Sequence, residues 1–326
     1  MWSMRWGILV LMGLGLIGQA RADTTRMPVA YVAISGSSVP LWVAHEEGLF
    51  ARHGLQVAPI YIAGGSRVVQ ALVGRSVEMA VTGGGVIEAT LGGADVIFVA
   101  AHLNNPTFSL YARPEIRQVE ELRGKVVGVT RLGTATMYGA LLVLRKFGLE
   151  PGRDASVLQT GGHPETLAAM QAGTIHAGVI AAPTTLRARG MGFRELVDIA
   201  ALGIPYIPAG VVASRAYLGA QPKRAEAFLK GFIEGVRLYK ANRGAAEKAL
   251  SKYTRVRDPE VLRETYETYA RYMSAKPYTS REAIANMLRL IGEQDPRARR
   301  ARPEEFYDDR VLRAIEASGF FGPSAS

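Results

Sequence analysis

The chain has 326 residues, of which 48% are apolar and 21% are charged. These proportions are typical of a folded protein with one or two substantial cores, and they exclude disordered and collagen-like chains. Cysteine is absent. The protein therefore uses neither disulfides nor thiolate metal sites, and it offers no cysteine for lipid attachment.

Residues 1–22 have the pattern of a secretory signal peptide. Arg5 makes a short basic region, residues 7–17 form an apolar run, and Ala20 and Ala22 mark a small-residue cleavage site. The run is shorter than the roughly 20 apolar residues that a membrane-spanning helix needs. We expect cleavage after Ala22 and a soluble protein of the bacterial periplasm, with an uncleaved anchor as the alternative.

The formal net charge of the whole chain is +10. Removing Arg5 and Arg21 with the signal peptide lowers it to +8, which still favours encounter with anions and negatively charged surfaces. The basic residues are spread along helical segments and form no stripe interleaved with aromatic residues. A nucleic-acid partner is therefore not expected.

Two stretches of the chain, residues 29–85 and 126–183, repeat one plan. Each begins with an apolar run (29–34 and 126–130), passes through a loop of Gly, Ser and Thr into a helical segment, and continues with two further strands separated by a second helix. Strands that alternate with helices predict mainly parallel sheets, so two such units predict two α/β lobes. We expect lobe 1 to comprise residues 27–112 and 207–326 and lobe 2 to comprise 113–206, with two crossing strands as the hinge.

From residue 221 onward the pattern is helical, and these helices are expected to pack on one lobe as a C-terminal block. Helix starts are predicted at Pro259 after the capping residue Asp258, at Thr279-Ser280, and at Pro303. Trp42 is expected in the core. The stripe of Tyr266, Tyr269 and Tyr272 is likewise expected to serve core or lobe packing.

Four loops lead directly from a strand into a helix: residues 35–38, 64–67, 131–136 and 161–163. The carboxyl ends of parallel strands are where open α/β sheets bind ligands. Backbone N–H groups and the positive end of the helix dipole make such loops a receptor for anions. The alternative is that the side chains of Ser37, Ser66 and Thr134 only cap their helices.

The predicted ligand-binding residues lie in these loops and after the third strand of each unit. They are Ser35, Gly36, Ser37, Ser38, Gly64, Gly65, Ser66, Arg67, Thr82, Gly83, Gly84, Arg131, Gly133, Thr134, Ala135, Thr136, His163 and Pro183.

Arg67 and Arg131 are the only full charges in the four loops, and a guanidinium group suits a carboxylate, sulfonate or phosphate. No Asp or Glu lies in these loops, so a cationic ligand would lack a counter-charge. For each arginine the alternative is a solvated surface position. For His163 the alternative is that it only precedes the Pro164 that opens a helix.

Signatures of catalysis are missing from the sequence. The five histidines include no i, i+4 pair for zinc, and no GxSxG or Walker motif occurs. The one GxGxxG, residues 13–18, lies inside the predicted signal peptide and follows no strand. We therefore expect a protein that binds a ligand without transforming it, with no cofactor and no metal.

Four segments, 40–55 (PLWVAHEEGLFARHGL), 64–80, 122–133 and 162–178, resemble periplasmic solute-binding proteins of ABC importers, of the nitrate, sulfonate and taurine class. The resemblance implies two lobes that close on a ligand and deliver it to a membrane permease powered by a cytoplasmic ATPase. It also implies that the loop after the first strand, the Gly64-Gly65 pair, residues 82–85 and the loop after Val129 line the cleft. Thiamine-pyrimidine synthases share this fold, but they rely on a cysteine-rich motif that this chain lacks.

The sequence thus predicts a periplasmic receptor for a small organic anion, acting as a monomer beside an ABC permease. Two alternatives stay open at this point. One is a ligand-sensing protein that signals to a membrane receptor, and the other is an exported enzyme of the same fold.

Overall fold

The computed structural model describes residues 26–322, which form ten strands and thirteen α-helices. The predicted signal peptide, residues 1–22, lies outside this part of the chain. None of the described helices has both the length and the apolar character needed to cross a membrane.

The strands are short, with four to seven residues each. They are β1 (Arg26–Tyr31), β2 (Gln56–Tyr61), β3 (Met79–Thr82), β4 (Ile97–Leu103), β5 (Ser109–Ala112), β6 (Val126–Val129), β7 (Ser156–Gln159), β8 (Ala177–Ile180), β9 (Arg194–Asp198) and β10 (Ala209–Ala213).

The helices of the first two thirds of the chain connect these strands, and the rest follow β10. They are α1 (Val39–Glu46), α2 (Leu49–Arg52), α3 (Gly65–Val73), α4 (Val86–Leu91), α5 (Ala135–Lys146), α6 (His163–Gln171), α7 (Thr184–Gly190), α8 (Arg215–Ala220), α9 (Pro222–Ala241), α10 (Arg243–Thr254), α11 (Pro259–Tyr272), α12 (Arg281–Ile291) and α13 (Arg310–Ala317).

Two five-stranded sheets organise the molecule, with strand orders β2-β1-β3-β10-β4 and β7-β6-β8-β5-β9. In the first sheet β1 is parallel to β2 and β3, while β10 is antiparallel to β3 and β4. The second sheet repeats this arrangement, with β6 parallel to β7 and β8, and β5 antiparallel to β8 and β9. The predicted fold class, two α/β lobes with mixed sheets flanked by helices, is confirmed.

The chain crosses between the sheets twice, at residues 104–108 and 199–208. Both crossings are largely irregular, and the Tyr206 N–H donates to the Asn104 carbonyl, which ties them together. The expected boundary at residue 112 assigned Ser109–Ala112 to lobe 1, whereas this strand pairs only within the second sheet. An apolar run does not reveal its partner strands, because pairing is decided by contacts distant in sequence.

The C-terminal helices pack on the lobe that contains the first sheet, as expected. Helix α9 lies against α1 and α2 at close range, since a Cβ added at Gly235 would lie 2.3 Å from the Pro40 carbonyl oxygen. Phe228 of α9 stacks on Phe50 with ring centroids 5.1 Å apart. Trp42 has no exposed surface and stacks on Tyr253 at 4.7 Å, so its predicted place in the core is correct.

Two of the three predicted C-terminal helix starts are confirmed. Asp258 accepts hydrogen bonds from the first N–H groups of α11, and Ser280 accepts one from α12. The predicted start at Pro303 opens only a single 3-10 turn, Pro303–Phe306. The chain then becomes extended, because the Asp308 N–H bonds to the Phe98 carbonyl beside β4, and the last α-helix begins at Arg310.

We expect Trp42→Ala to lower the free energy of unfolding by about 3 to 5 kcal/mol, because it removes a fully buried ring and leaves a cavity. Urea denaturation monitored by circular dichroism measures the change. Val73→Ala, at a side chain that is 54% exposed, is the control and should stay within about 0.5 kcal/mol of the parent. A loss below about 1 kcal/mol for Trp42→Ala would contradict the core position.

Candidate functional site

A small cavity lies between the two sheets, where the loops after their parallel strands meet. About 30 Å³ is open to the centre of a water molecule, which is room for one or a few waters. The lining combines loops of both lobes with both crossings: Val32, Ala33, Ser37, Tyr61, Gly65, Gly84, Phe108, Thr130, Thr134, Ala135, Thr136, Gly162, His163 and Pro208.

The lobes are closed on each other around this cavity. The Gly36 N–H donates to the Ala182 carbonyl at 3.1 Å, and two ion pairs, Arg145–Glu293 and Arg189–Glu264, join lobe 2 to the C-terminal helices. Close backbone approach requires glycine at the interface. A Cβ at Gly84 would lie 2.6 Å from Thr134 Cα of the other lobe.

The helices that begin at the cavity have no side-chain caps. The 3-10 turn Gly36–Ser38 and helices α3, α5 and α6 all lack a hydrogen bond from a capping side chain to their first N–H groups. In the C-terminal block, α8, α10, α11 and α12 are capped by Ser214, Asn242, Asp258 and Ser280, while α9 and α13 also lack a side-chain cap. The alternative in which Ser37, Ser66 and Thr134 only cap helices is therefore wrong, and the first N–H groups of these helices are left without that partner.

Three threonines form a polar wall at the start of α5. Thr134 occupies the N-cap position, but its hydroxyl donates to the Arg131 carbonyl at 2.6 Å. The Thr136 hydroxyl accepts from the Thr130 N–H at 3.0 Å and lies 2.8 Å from the Thr130 hydroxyl. These bonds hold the loop in shape and do not satisfy the first N–H groups of α5, which are thus available to a ligand.

His163 lies in the wall of the cavity with 4% of its surface exposed. Burial lowers the pKa of its imidazole to about 4, so the ring is neutral at pH 7. Its buried Nδ1 has no hydrogen-bond partner among the described residues. A neutral imidazole offers one donor and one acceptor, so His163 supplies polarity to the cavity but no charge.

Neither predicted arginine lines the cavity. Arg67 is exposed on α3. Arg131 lies over Gly64, and its Nε donates to the Ala63 carbonyl at 2.9 Å, across the lobes. Arg131 therefore closes one side of the site, and no Lys, Arg, Asp or Glu is among the lining residues.

The structure brings seven of the predicted site residues into the lining: Ser37, Gly65, Gly84, Thr134, Ala135, Thr136 and His163. The other predicted residues lie outside it: Ser35, Gly36, Ser38, Gly64, Ser66, Arg67, Thr82, Gly83, Arg131, Gly133 and Pro183.

Seven lining residues were not predicted: Val32, Ala33, Tyr61, Phe108, Thr130, Gly162 and Pro208. Val32 and Ala33 belong to an apolar run expected to be strand, but β1 ends at Tyr31 and the run continues into the cavity wall. Phe108 and Pro208 come from the two crossings. Tyr61 and Thr130 border predicted loops, so extending each loop by one or more residues toward its strand would have found them.

The first loop rests on buried polar and aromatic groups from other elements. A Cβ at Gly36 would lie 2.0 Å from the Tyr269 ring of α11. His102 of β4 donates through Nε2 to the Ser37 carbonyl at 2.8 Å, and burial lowers the pKa of this histidine to about 4. Tyr269 therefore serves packing, as expected, and it packs against the loop at Gly36 that borders the cavity.

We expect Gly84→Ala to shift the protein toward an open form, because the added Cβ meets the Thr134 backbone only when the lobes are closed. Energy transfer between dyes on Gln56→Cys and Ser156→Cys measures lobe separation. Both positions are exposed at the ends of β2 and β7 away from the cavity, and the chain has no other cysteine.

Gly219→Ala is the matched control, since nothing lies within 4 Å of a Cβ there. Transfer efficiency should fall in Gly84→Ala and stay unchanged in Gly219→Ala. Equal efficiencies in both variants would show that the two lobes do not meet at Gly84.

Residues 20–252 match the model of the NMT1-like family. No curated protein matches the sequence. A structure from Bordetella bronchiseptica RB50 is 22% identical with a TM-score of 0.79, over 90% of this chain and 97% of that one.

Two further structures have named ligand classes. The alkanesulfonate-binding protein SsuA from Xanthomonas axonopodis pv. citri, bound to MOPS, is 18% identical with a TM-score of 0.69, over 89% of this chain and 96% of that one. The periplasmic nitrate-binding protein NrtA from Synechocystis PCC 6803 is 14% identical with a TM-score of 0.70, over 93% and 92%.

At these identities the structural likeness establishes the fold alone, and the same fold occurs in the enzyme DszB. The resemblance noted from the sequence segments is confirmed by the family match and by these neighbours. The chain belongs to the NMT1-like family and has the two-lobe fold of periplasmic nitrate- and sulfonate-binding proteins.

Proposed function

We propose that this protein is the periplasmic solute-binding component of an ABC importer and captures a small organic anion between its lobes. The observation that carries the proposal is the set of uncapped helix starts at the cavity. Their N–H groups and the positive ends of the helix dipoles favour negative charge at this position. Delivery to a permease is inferred from the family and from the predicted signal peptide.

The cavity also constrains the ligand's size and chemistry. With about 30 Å³ open to water centres, the closed form suits a compact ligand of a few heavy atoms. The rings of Tyr61 and Phe108 and the apolar side chain of Val32 provide contacts for a short organic part. No carboxylate is among the lining residues, although that of Glu165 lies behind Gly162 at the start of α6, and the net charge favours an anion's approach.

Catalysis has less support from the same contacts. A hydrolytic site would pair a nucleophile with a base, but the Ser37 hydroxyl is bonded to the Ser35 hydroxyl at 2.8 Å. Among the described residues no three His, Asp or Glu side chains are grouped to hold a metal ion. Recovery of a bound compound unchanged after long incubation would separate binding from turnover.

We expect residues 23–326 to bind at least one small anion saturably and to discriminate against its uncharged counterpart, because backbone N–H donors and helix dipoles reward negative charge. Calorimetry would compare acetate with acetamide and methanesulfonate with methanesulfonamide, alongside nitrate, phosphate, longer sulfonates and aromatic acids. A binder at about 100 times its Kd should stabilise the fold by about 2.7 kcal/mol in thermal unfolding. Saturable binding of uncharged compounds alone would contradict the proposal.

We expect Ala135→Asp to weaken anion binding, because its carboxylate would occupy the start of α5 and repel the ligand. Ala135→Asn has nearly the same shape without the charge and is the matched control. Affinity should be about tenfold to a hundredfold lower in the Asp variant than in the Asn variant, the range of one hydrogen bond to a charged group. Equal affinities in calorimetry would place the anion elsewhere.

A further inference from the structure

Three groups from different parts of the molecule meet beside the cavity. Glu88 lies in the first turn of α4 in lobe 1, and Tyr138 lies on α5 in lobe 2. The Tyr138 hydroxyl donates to Glu88 Oε1 at 2.6 Å, across the lobes. Tyr206 belongs to the second crossing, and its ring centroid lies 6.4 Å from that of Tyr138.

The cluster has two buried polar atoms without partners among the described residues, Glu88 Oε2 and the Tyr206 hydroxyl. An ionised carboxylate only accepts hydrogen bonds, whereas a neutral carboxyl group can accept at one oxygen and donate at the other. Burial disfavours the ionised form and raises the pKa of Glu88, while the bond from Tyr138 acts in the opposite direction.

We propose that Glu88 is a proton-linked latch: it takes up a proton as the lobes close, and its carboxyl group then accepts the hydrogen bond from Tyr138 of lobe 2. In the open form Glu88 faces water and has no contact with Tyr138. The latch is separate from the anion site, because Glu88 and Tyr138 are not in the cavity lining. Its role is to position the lobes and not to touch the ligand.

Other charged groups near α4 are engaged or exposed. Asp295, which follows α12, is the carboxylate that opposes ionisation of Glu88, and it is paired with Arg297 at 2.7 Å. The elements packed against α4 carry the remaining titratable or charged groups. Arg67 of α3 and Glu282 of α12 are exposed, His102 of β4 is bonded to Ser37, and Arg289 of α12 is bonded to Asn286. Glu304 and Glu305 of the 3-10 turn Pro303–Phe306 are paired with Arg281 and Arg302.

A route for the proton is present. A groove of about 590 Å³ runs between α3 and α4 and is lined by Ser66, Gln70, Glu88 and Gly133, among others. Glu88 belongs to the wall of this groove, although its Oε2 is buried. Proton exchange with solvent therefore needs only a small movement of the groove wall and no unfolding.

The sign of the pH dependence follows from the raised pKa in the closed form. The closed state binds an extra proton above the ordinary Glu value of 4.5, so Glu88 favours closure at acid pH. This contribution is lost as pH rises through the closed-state pKa. Each unit of difference between the closed and open pKa changes the closing equilibrium about tenfold once Glu88 is ionised.

His163 acts in the opposite direction, because burial lowers its pKa to about 4 and closure at acid pH then releases its proton. The overall pH profile therefore mixes two effects. A comparison with Glu88→Gln separates them, since glutamine has the shape of the neutral carboxyl group and does not titrate while His163 is unchanged.

The test uses the unliganded protein with dyes on Gln56→Cys and Ser156→Cys, so it does not depend on the anion proposal. The closing equilibrium is measured by energy transfer from pH 4.5 to 8 in the parent and in Glu88→Gln. The ratio of the variant's equilibrium constant to the parent's should be near one at the acid end. It should rise with pH through a single protonation step.

Tyr138→Phe tests the partner. The substitution removes the hydroxyl that donates to the Glu88 carboxylate, so the pH midpoint of the Glu88 protonation step should move to higher pH. The midpoint is measured as before, from the ratio of closing equilibria with and without Glu88→Gln, now in proteins that both carry Tyr138→Phe. Tyr111→Phe is the matched control, because its hydroxyl contacts Glu195 at 3.5 Å within lobe 2. The control should leave the midpoint unchanged.

The latch is overturned if the ratio stays constant with pH, if the parent never closes at any pH, or if Tyr111→Phe moves the midpoint as much as Tyr138→Phe does. Carboxyl ¹³C NMR gives a second readout that does not need closure to be complete. The resonance that disappears in Glu88→Gln should titrate above the ordinary Glu range. Titration within that range contradicts the proposal.

Discussion

The site depends on backbone N–H groups that the protein does not satisfy with its own side chains. Helices α3, α5 and α6 begin at the cavity without caps, although Thr134 stands at the N-cap of α5 with a suitable hydroxyl. That hydroxyl is turned to the Arg131 carbonyl instead. Donors that stay unsatisfied cost free energy, and their grouping at one cavity is the basis for proposing a negatively charged ligand. Four of the C-terminal helices, α8, α10, α11 and α12, are capped by their own side chains, whereas α9 and α13 are not.

Closure is the second constraint, and it is met by small residues at the interface. Gly64 lies under Arg131, and Gly84 faces the Thr134 backbone. Each contact leaves no space for a Cβ, so only glycine fits at these positions when the lobes are closed. The hydrogen bonds of Arg131 and Tyr138 across the lobes then stabilise a geometry that the glycines permit. In this arrangement an arginine that looked like a ligand contact serves the interface between the lobes.

Much of the architecture could be predicted from the sequence because it depends on local patterns. Strand and helix periodicity, glycine at helix ends and the caps at Asp258 and Ser280 are short-range signals, and the structure bears them out. The error at Ser109–Ala112 has a different origin, since its pairing with β8 and β9 joins residues about 65 to 90 positions apart. The prediction of a helix beginning at Pro303 was wrong for the same reason, a contact between residues distant in sequence. A contact with Phe98 of β4 draws the chain out of the helix.

The sequence by itself determined the two repeated α/β units, the loops where ligand contacts are expected and the small residues that let backbones approach there. Those properties follow from residue type and spacing. Only the tertiary structure decided which loop residues line the cavity, because side-chain direction depends on how two lobes meet. It placed Arg131 at the interface, brought Phe108 and Pro208 from the crossings into the wall, and set Glu88 against Tyr138. No local pattern encodes these contacts, since each joins segments that are brought together only by folding and closure.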